Sequence, residues 1–145
     1  MSQPCEYEED FEAGTIPTIP ILSLNEGVKY LSQNFQKIRK KEEELTKYTY
    51  FSLKKLNFIE IYSKSTSLNV ISFNIKNLNS MDVANILNEK YSICVRAGLH
   101  CAPLIHQKQN TQKTGAVRVA LDFNNTFYEI DVLVNALVEI FNSSH

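Results

Sequence analysis

Residues 116–121, Ala116-Val117-Arg118-Val119-Ala120-Leu121, alternate so that Val117, Val119 and Leu121 share one side of an extended chain. The branched side predicts burial against helices, which puts Arg118 on the opposite face together with Ala116 and Ala120. Residues 92–96 read the same way, with Ile93 and Val95 inward and Cys94 and Arg96 on the far side. Two further runs rich in β-branched and aromatic residues, 58–62 and 70–75, flank a Ser/Thr/Asn-rich turn at 63–69 and so predict an antiparallel pair. Two arginines on the uncovered face of one sheet leave two readings, a surface that meets an anion or a merely solvated face.

Helical signals surround these strands. From Asn25, a plausible N-cap, Val28, Leu31, Phe35, Ile38 and Leu45 recur at spacings of three, four and seven, and the pattern ends before Asn57. One long helix or two with a break near Asn34 both fit, and the charged run 37–44 reads as a solvated face. A shorter helix over 81–91, capped by Ser80, turns Val83, Ile86, Leu87 and Tyr91 inward. The last helix opens on Thr126-Phe127-Tyr128-Glu129, a capping box, and continues with the stripe Ile130, Leu133, Val134, Leu137, Val138 and Phe141. Residues 1–24, with Pro4, Gly14, Pro17 and Pro20, read as irregular. The order is a long helical segment and then β-β-α-β-loop-β-α. The expected class is α+β: a small antiparallel or mixed sheet of about four strands with helices on one face. The expected divisions are an irregular lead (1–24), a helical connector (25–56) and an α+β domain (57–145).

Composition narrows the function. With 15 Lys+Arg against 16 Asp+Glu among 145 residues, a bulk basic surface for nucleic acid is not expected. No apolar run approaches the roughly 20 residues of a membrane span, and the acidic start, Met1 to Asp10, does not resemble a secretory signal. Three cysteines cannot all pair within the chain, which favours a reducing, cytoplasmic address and a thiol kept for reactivity.

The least ordinary segment is Arg96-Ala97-Gly98-Leu99-His100-Cys101-Ala102-Pro103-Leu104. It leaves a strand, bends at a glycine and presents adjacent His and Cys before a proline able to open a short helix. Nearby positive charge favours the thiolate, the reactive form of a cysteine. Physics alone leaves three readings: a small buried thiol beside a structural histidine, a zinc site from Cys94, His100, Cys101 and His106, or a nucleophilic or redox cysteine.

That segment, with Gly115-Ala116-Val117-Arg118 and Asn125-Thr126-Phe127-Tyr128-Glu129-Ile130-Asp131, resembles the C-terminal third of the pyridoxal-phosphate cysteine desulfurases. The likeness is closest to the branch that includes selenocysteine lyases, within the class V aminotransferases. Phe11-Glu12-Ala13-Gly14-Thr15 and Val70-Ile71-Ser72-Phe73-Asn74-Ile75 match in order and spacing, so the resemblance runs from about Tyr7 to Ile140. The short link between Arg96 and Arg118 fits the branch with a compact cysteine loop. The Pro17 and Pro20 stretch departs from the family, which carries an asparagine and a glycine turn there.

The resemblance implies the C-terminal small domain of a fold type I pyridoxal-phosphate enzyme. It implies that Cys101 takes sulfur from L-cysteine, or selenium from L-selenocysteine, leaving alanine and a persulfide (or its selenium counterpart). Arg118 is then the holder of the substrate carboxylate, a bidentate task suited to guanidinium. Arg96 anchors the loop or assists that charge, His100 tunes the thiol or a proton transfer, and Gly14 and Thr15 approach the cofactor phosphate. The expected partners are the amino acid, a sulfur-acceptor protein and a second copy in a homodimer. No stretch matches the family's Schiff-base lysine motif, so the chain is expected to be a fragment that is inactive alone. A stand-alone sulfur carrier and a class V enzyme acting on another amino acid are the alternatives.

Overall fold

A computed structural model describes residues 15–66 and 68–144. They fall into two units, divided between Gln36 and Lys37. The first consists of residues up to Gln36, with Ile19, Leu22, Val28, Leu31 and Phe35 all exposed on the opening turns of helix α1, Thr18–Lys54. The expected irregular lead therefore ends earlier than Leu24, and Asn25 is not the cap. Pro17 and Pro20 do not bar the helix, because a proline in the first turn removes an amide that has no intrahelical partner. Nor is there a break at Asn34, whose side chain donates to the Tyr30 carbonyl at 2.9 Å within a continuous helix.

In the second unit, α1 becomes buried at Leu45, Thr46, Thr49 and Leu53. The two threonine hydroxyls donate to the carbonyls of Glu42 and Leu45, at 2.7 and 2.8 Å, so their burial leaves no donor unsatisfied. Strands β1 (Ile59–Ile61), β2 (Val70–Ile75), β3 (Arg96–Gly98) and β4 (Ala116–Ala120) form one antiparallel sheet in the order β1-β2-β4-β3. Helices α2 (Ser80–Tyr91) and α4 (Phe127–Ser143) bring Val83, Leu87, Ile130, Leu133 and Leu137 to a core shared with Ile71, Phe73, Ile75, Val117, Val119 and Leu121. Ile86, Tyr91, Val134, Val138 and Phe141 pack at its margin, so both predicted stripes face inward. The Thr126 capping box is present in full.

Three local expectations are corrected. Asn79, not Ser80, caps α2, its side chain accepting from the Met81 amide, while the Ser80 hydroxyl donates to the Thr114 carbonyl at 2.6 Å. The third strand spans Arg96–Gly98 rather than 92–96. Ser92 takes a left-handed conformation that ends α2, and pairing with β4 begins only where Arg96 meets Arg118. Ile93 and Val95 still pack on the core, and Cys94 and Arg96 stay exposed, because the alternation outlasts the loss of pairing. Finally, the face opposite the core is not wholly open: Ala116 is buried there, and a short α3 (Pro103–Lys108) buries His106.

Gly115, which leads into β4, has a φ of +65°, and a Cβ there would lie 2.7 Å from both the Gly98 Cα and the Ser80 Oγ. Gly115→Ala should therefore destabilise the second unit by more than about 1 kcal/mol, read as a lower urea midpoint. An unchanged midpoint would show that the junction of β3, β4 and α2 is looser than described.

Candidate active site

Register places the two arginines. Arg118 of β4 lies opposite Arg96 of β3 on one side and opposite Ser72 of β2 on the other. Like charges directly opposite each other in a sheet are destabilising, and an anion between them removes the penalty. Beyond Arg96 the chain turns through Gly98 (φ +100°), His100 (φ +52°) and Cys101 (φ +58°). Left-handed backbone at two consecutive non-glycine residues is uncommon and disfavoured. The Ala102 amide closes this turn on the Leu99 carbonyl at 2.9 Å, and Pro103 then opens α3.

The turn brings the Cys101 sulfur out to solvent and back to the sheet. Arg96 Nη2 donates to Cys101 Sγ at 3.9 Å. His100 Nε2 lies 2.9 Å from the Ala116 carbonyl, which can only accept, so the proton resides on Nε2. Its Nδ1 is buried without a hydrogen-bond partner among the described residues. The ring also lies 5.9 Å, centroid to centroid, from that of His106, whose Nδ1 pairs with the Thr111 hydroxyl at 2.7 Å. Burial, then the proximity of Arg118, Arg96 and His106, push the His100 imidazole below its ordinary value of 6.5, against the opposing pull of the Ala116 carbonyl.

Tyr62, Ser72, His100, His106, Gln109 and Arg118 line a cleft of about 270 Å³ on this face. That is just below the range of about 300–1,000 Å³ typical of ligand pockets, a scale suited to a small amino acid. Of the four expected residues, His100 and Arg118 line this cleft, while Arg96 lies opposite Arg118 in the sheet and contacts Cys101. Thr15 is exposed and belongs to the other unit, and Gly14 lies outside the described residues. No three His, Cys, Asp or Glu side chains converge to hold a metal ion among the described residues. Sequence reasoning missed Ser72, Asn74, Tyr62, Thr111 and the burial of His106. Asn74 alone carried a signal, a polar amide between Phe73 and Ile75 in a strand, where asparagine is disfavoured.

The chain carrying this site has relatives among known proteins. Residues 3–133 match the aminotransferase class-V family, and the chain belongs to it. Enzymes of that family depend on pyridoxal phosphate. Within it, the likeness is to cysteine desulfurases. A probable cysteine desulfurase of Methanothermobacter thermautotrophicus is 32% identical over 138 residues, covering 93% of this chain and 34% of that protein. Another, from Staphylococcus aureus strain Mu50, is 37% identical over 130 residues, covering 88% and 31%. The apo structure of the Thermococcus onnurineus NA1 cysteine desulfurase superimposes with a TM-score of 0.83 at 30% identity, over 96% of this chain and 35% of that one. An Escherichia coli cysteine desulfurase in its S-sulfonic acid form shares the fold, with a TM-score of 0.76 at 23% identity, over 89% of this chain and 32% of that one. The chain spans about a third of the length of the relatives it matches. No helix among the described residues is long and apolar enough to cross a membrane.

The depressed His100 value fixes a pH dependence. Below about pH 6.5 the unfolded chain takes up this proton before the folded chain does, so stability falls as pH drops through that window. Urea midpoints compared at about pH 5 and pH 7 should show a smaller pH difference in His100→Asn than in the unsubstituted chain. Equal differences would mean that His100 titrates as a free imidazole.

Proposed function

We propose that this chain is the substrate-facing part of a pyridoxal-phosphate cysteine desulfurase, or selenocysteine lyase, and that Cys101 receives the chalcogen atom. The observation that carries the reading is the Arg96 contact to the Cys101 sulfur beside the Arg96–Arg118 pair, which joins a nucleophile to a carboxylate-binding element. Arg118 grips the α-carboxylate of L-cysteine. Cys101, with its sulfur beside the Arg96 guanidinium, attacks the substrate sulfur as the thiolate. An S–S bond forms as the substrate's C–S bond breaks, and carbon retains the electron pair and gains a proton, giving L-alanine and a Cys101 persulfide. His100, held neutral with its proton on Nε2, fixes the loop. Because Cys101 is exposed, the persulfide remains open to a sulfur-acceptor protein.

The residues of the cleft suit the amino-acid substrate. The Arg118 guanidinium in the cleft matches a carboxylate, and the neighbouring Cys101 thiol, in contact with Arg96, matches a sulfur atom, while no lysine lines the cleft among the described residues. Toward pyridoxal phosphate itself, Thr15 and Gly14 are the residues of this chain that would meet the phosphate. When bound, that cofactor supplies the electron sink for carbon–sulfur cleavage. The Schiff-base lysine then comes from outside these 145 residues, so the chain alone does not turn over. Residues 57–145 act as the site-bearing domain and 25–56 as its connector, with the enzyme working as a homodimer in a reducing, cytoplasmic setting.

In the holoenzyme, Cys101→Ala should lower alanine and sulfide release more than about a hundredfold while cysteine still binds. Arg118→Ala should raise the apparent KM for cysteine about tenfold or more, the loss of a charged hydrogen bond. Near-normal sulfur transfer by Cys101→Ala would overturn the reading.

A further inference from the structure

Asn74, near the end of β2, is buried to 5% exposure, although asparagine is disfavoured in strands. The ladder between β2 and β4 runs from Val70 opposite Ala120 to Phe73 opposite Val117 and stops before Asn74. There the side chain takes over from the backbone. Asn74 Oδ1 accepts from the Val117 amide at 3.2 Å, and Nδ2 donates to the Gly115 carbonyl at 2.8 Å and to the Tyr62 hydroxyl at 3.3 Å. Gly115, just before β4, and Val117 on it flank Ala116, whose carbonyl accepts from His100 Nε2 at 2.9 Å. One side-chain amide thus holds the backbone on either side of the carbonyl that pins the cysteine loop, two residues before Arg118.

We propose that Asn74 is a positioning residue. Gripping residues 115 and 117, it directs the Ala116 carbonyl at His100 and thereby sets the Cys101 thiol at its working place beside Arg118. The inference rests on the reading of Cys101 and Arg118 given above. Asn74 touches neither thiol nor guanidinium in any hydrogen bond, and acts only through β4 and His100. A purely structural asparagine would support the sheet without coupling thiol to guanidinium, and the two roles separate in one measurement.

Iodoacetate and iodoacetamide alkylate a thiol alike, but only the former carries a carboxylate for the guanidiniums. Their rate ratio at Cys101 therefore reports how the thiol stands to the Arg96–Arg118 pair, with exposed Cys94 as an internal standard followed by peptide mass spectrometry. In the unsubstituted 145-residue chain the ratio at Cys101 should exceed that at Cys94 about fivefold, the scale of an exposed charge pair. In Asn74→Ala the excess should vanish while the ratio at Cys94 stays put and the amide spectrum remains that of a folded chain. A retained excess in folded Asn74→Ala overturns the positioning role alone, whereas no excess in the unsubstituted chain overturns the pairing of thiol and guanidinium as well. Should Asn74→Ala not fold, His100→Gly cuts the same connection at its other end, with backbone suited to a positive φ. There, too, loss of the excess supports the coupling and its retention refutes it.

Discussion

Two guanidiniums stand opposite each other across an antiparallel pair, Arg96 on β3 and Arg118 on β4, and the rest of the site is arranged about that repulsion. In a bare sheet such a pair is unfavourable. In the proposed function, the reacting sulfur and the substrate carboxylate are the groups that offset it. Arg96 already donates to the Cys101 sulfur, and in the proposed function Arg118 is the guanidinium left for the substrate carboxylate. The hydrophobic alternation of β4 makes the arrangement obligatory: burying Val117 and Val119 forces Arg118 to the other side.

Around this pair the loop is held rather than free. Successive left-handed residues at His100 and Cys101 require outside support, and the Ala116 carbonyl supplies it through His100 Nε2. Burial together with two nearby arginines keeps that imidazole neutral, so it remains a one-proton donor with a fixed tautomer. Histidine thus serves here as a clamp rather than as a further positive charge competing for the same anion. The buried His106–Thr111 pair anchors the other end of the loop, where α3 turns back toward β4.

Much of this was legible in the residues, and what was not has physical reasons. The period-two patterns of β2 and β4 and the reciprocal cap at Thr126 are local signals that tertiary structure had no cause to override. The third strand was misplaced because its extent is chosen by pairing, and pairing starts where Arg96 reaches Arg118. Asn79 and Ser80 are both good caps, and only the distant Thr114 carbonyl decides that serine serves elsewhere. The early start of α1 was hidden because Pro17 and Pro20 punctuate loops far more visibly than they open helices. At the site, Cys101 and Arg118 were visible from motif and alternation. Asn74 and His106 act through partners more than four residues away in sequence, which no periodicity encodes.

The most direct measurement is to locate the transferred atom. Holoenzyme treated with one equivalent of heavy-sulfur-labelled L-cysteine, quenched and digested, should carry the extra sulfur on the peptide containing Cys101, with L-alanine released in equal amount. Label on Cys94 instead, or alanine formed with no sulfur retained at Cys101, would contradict the account.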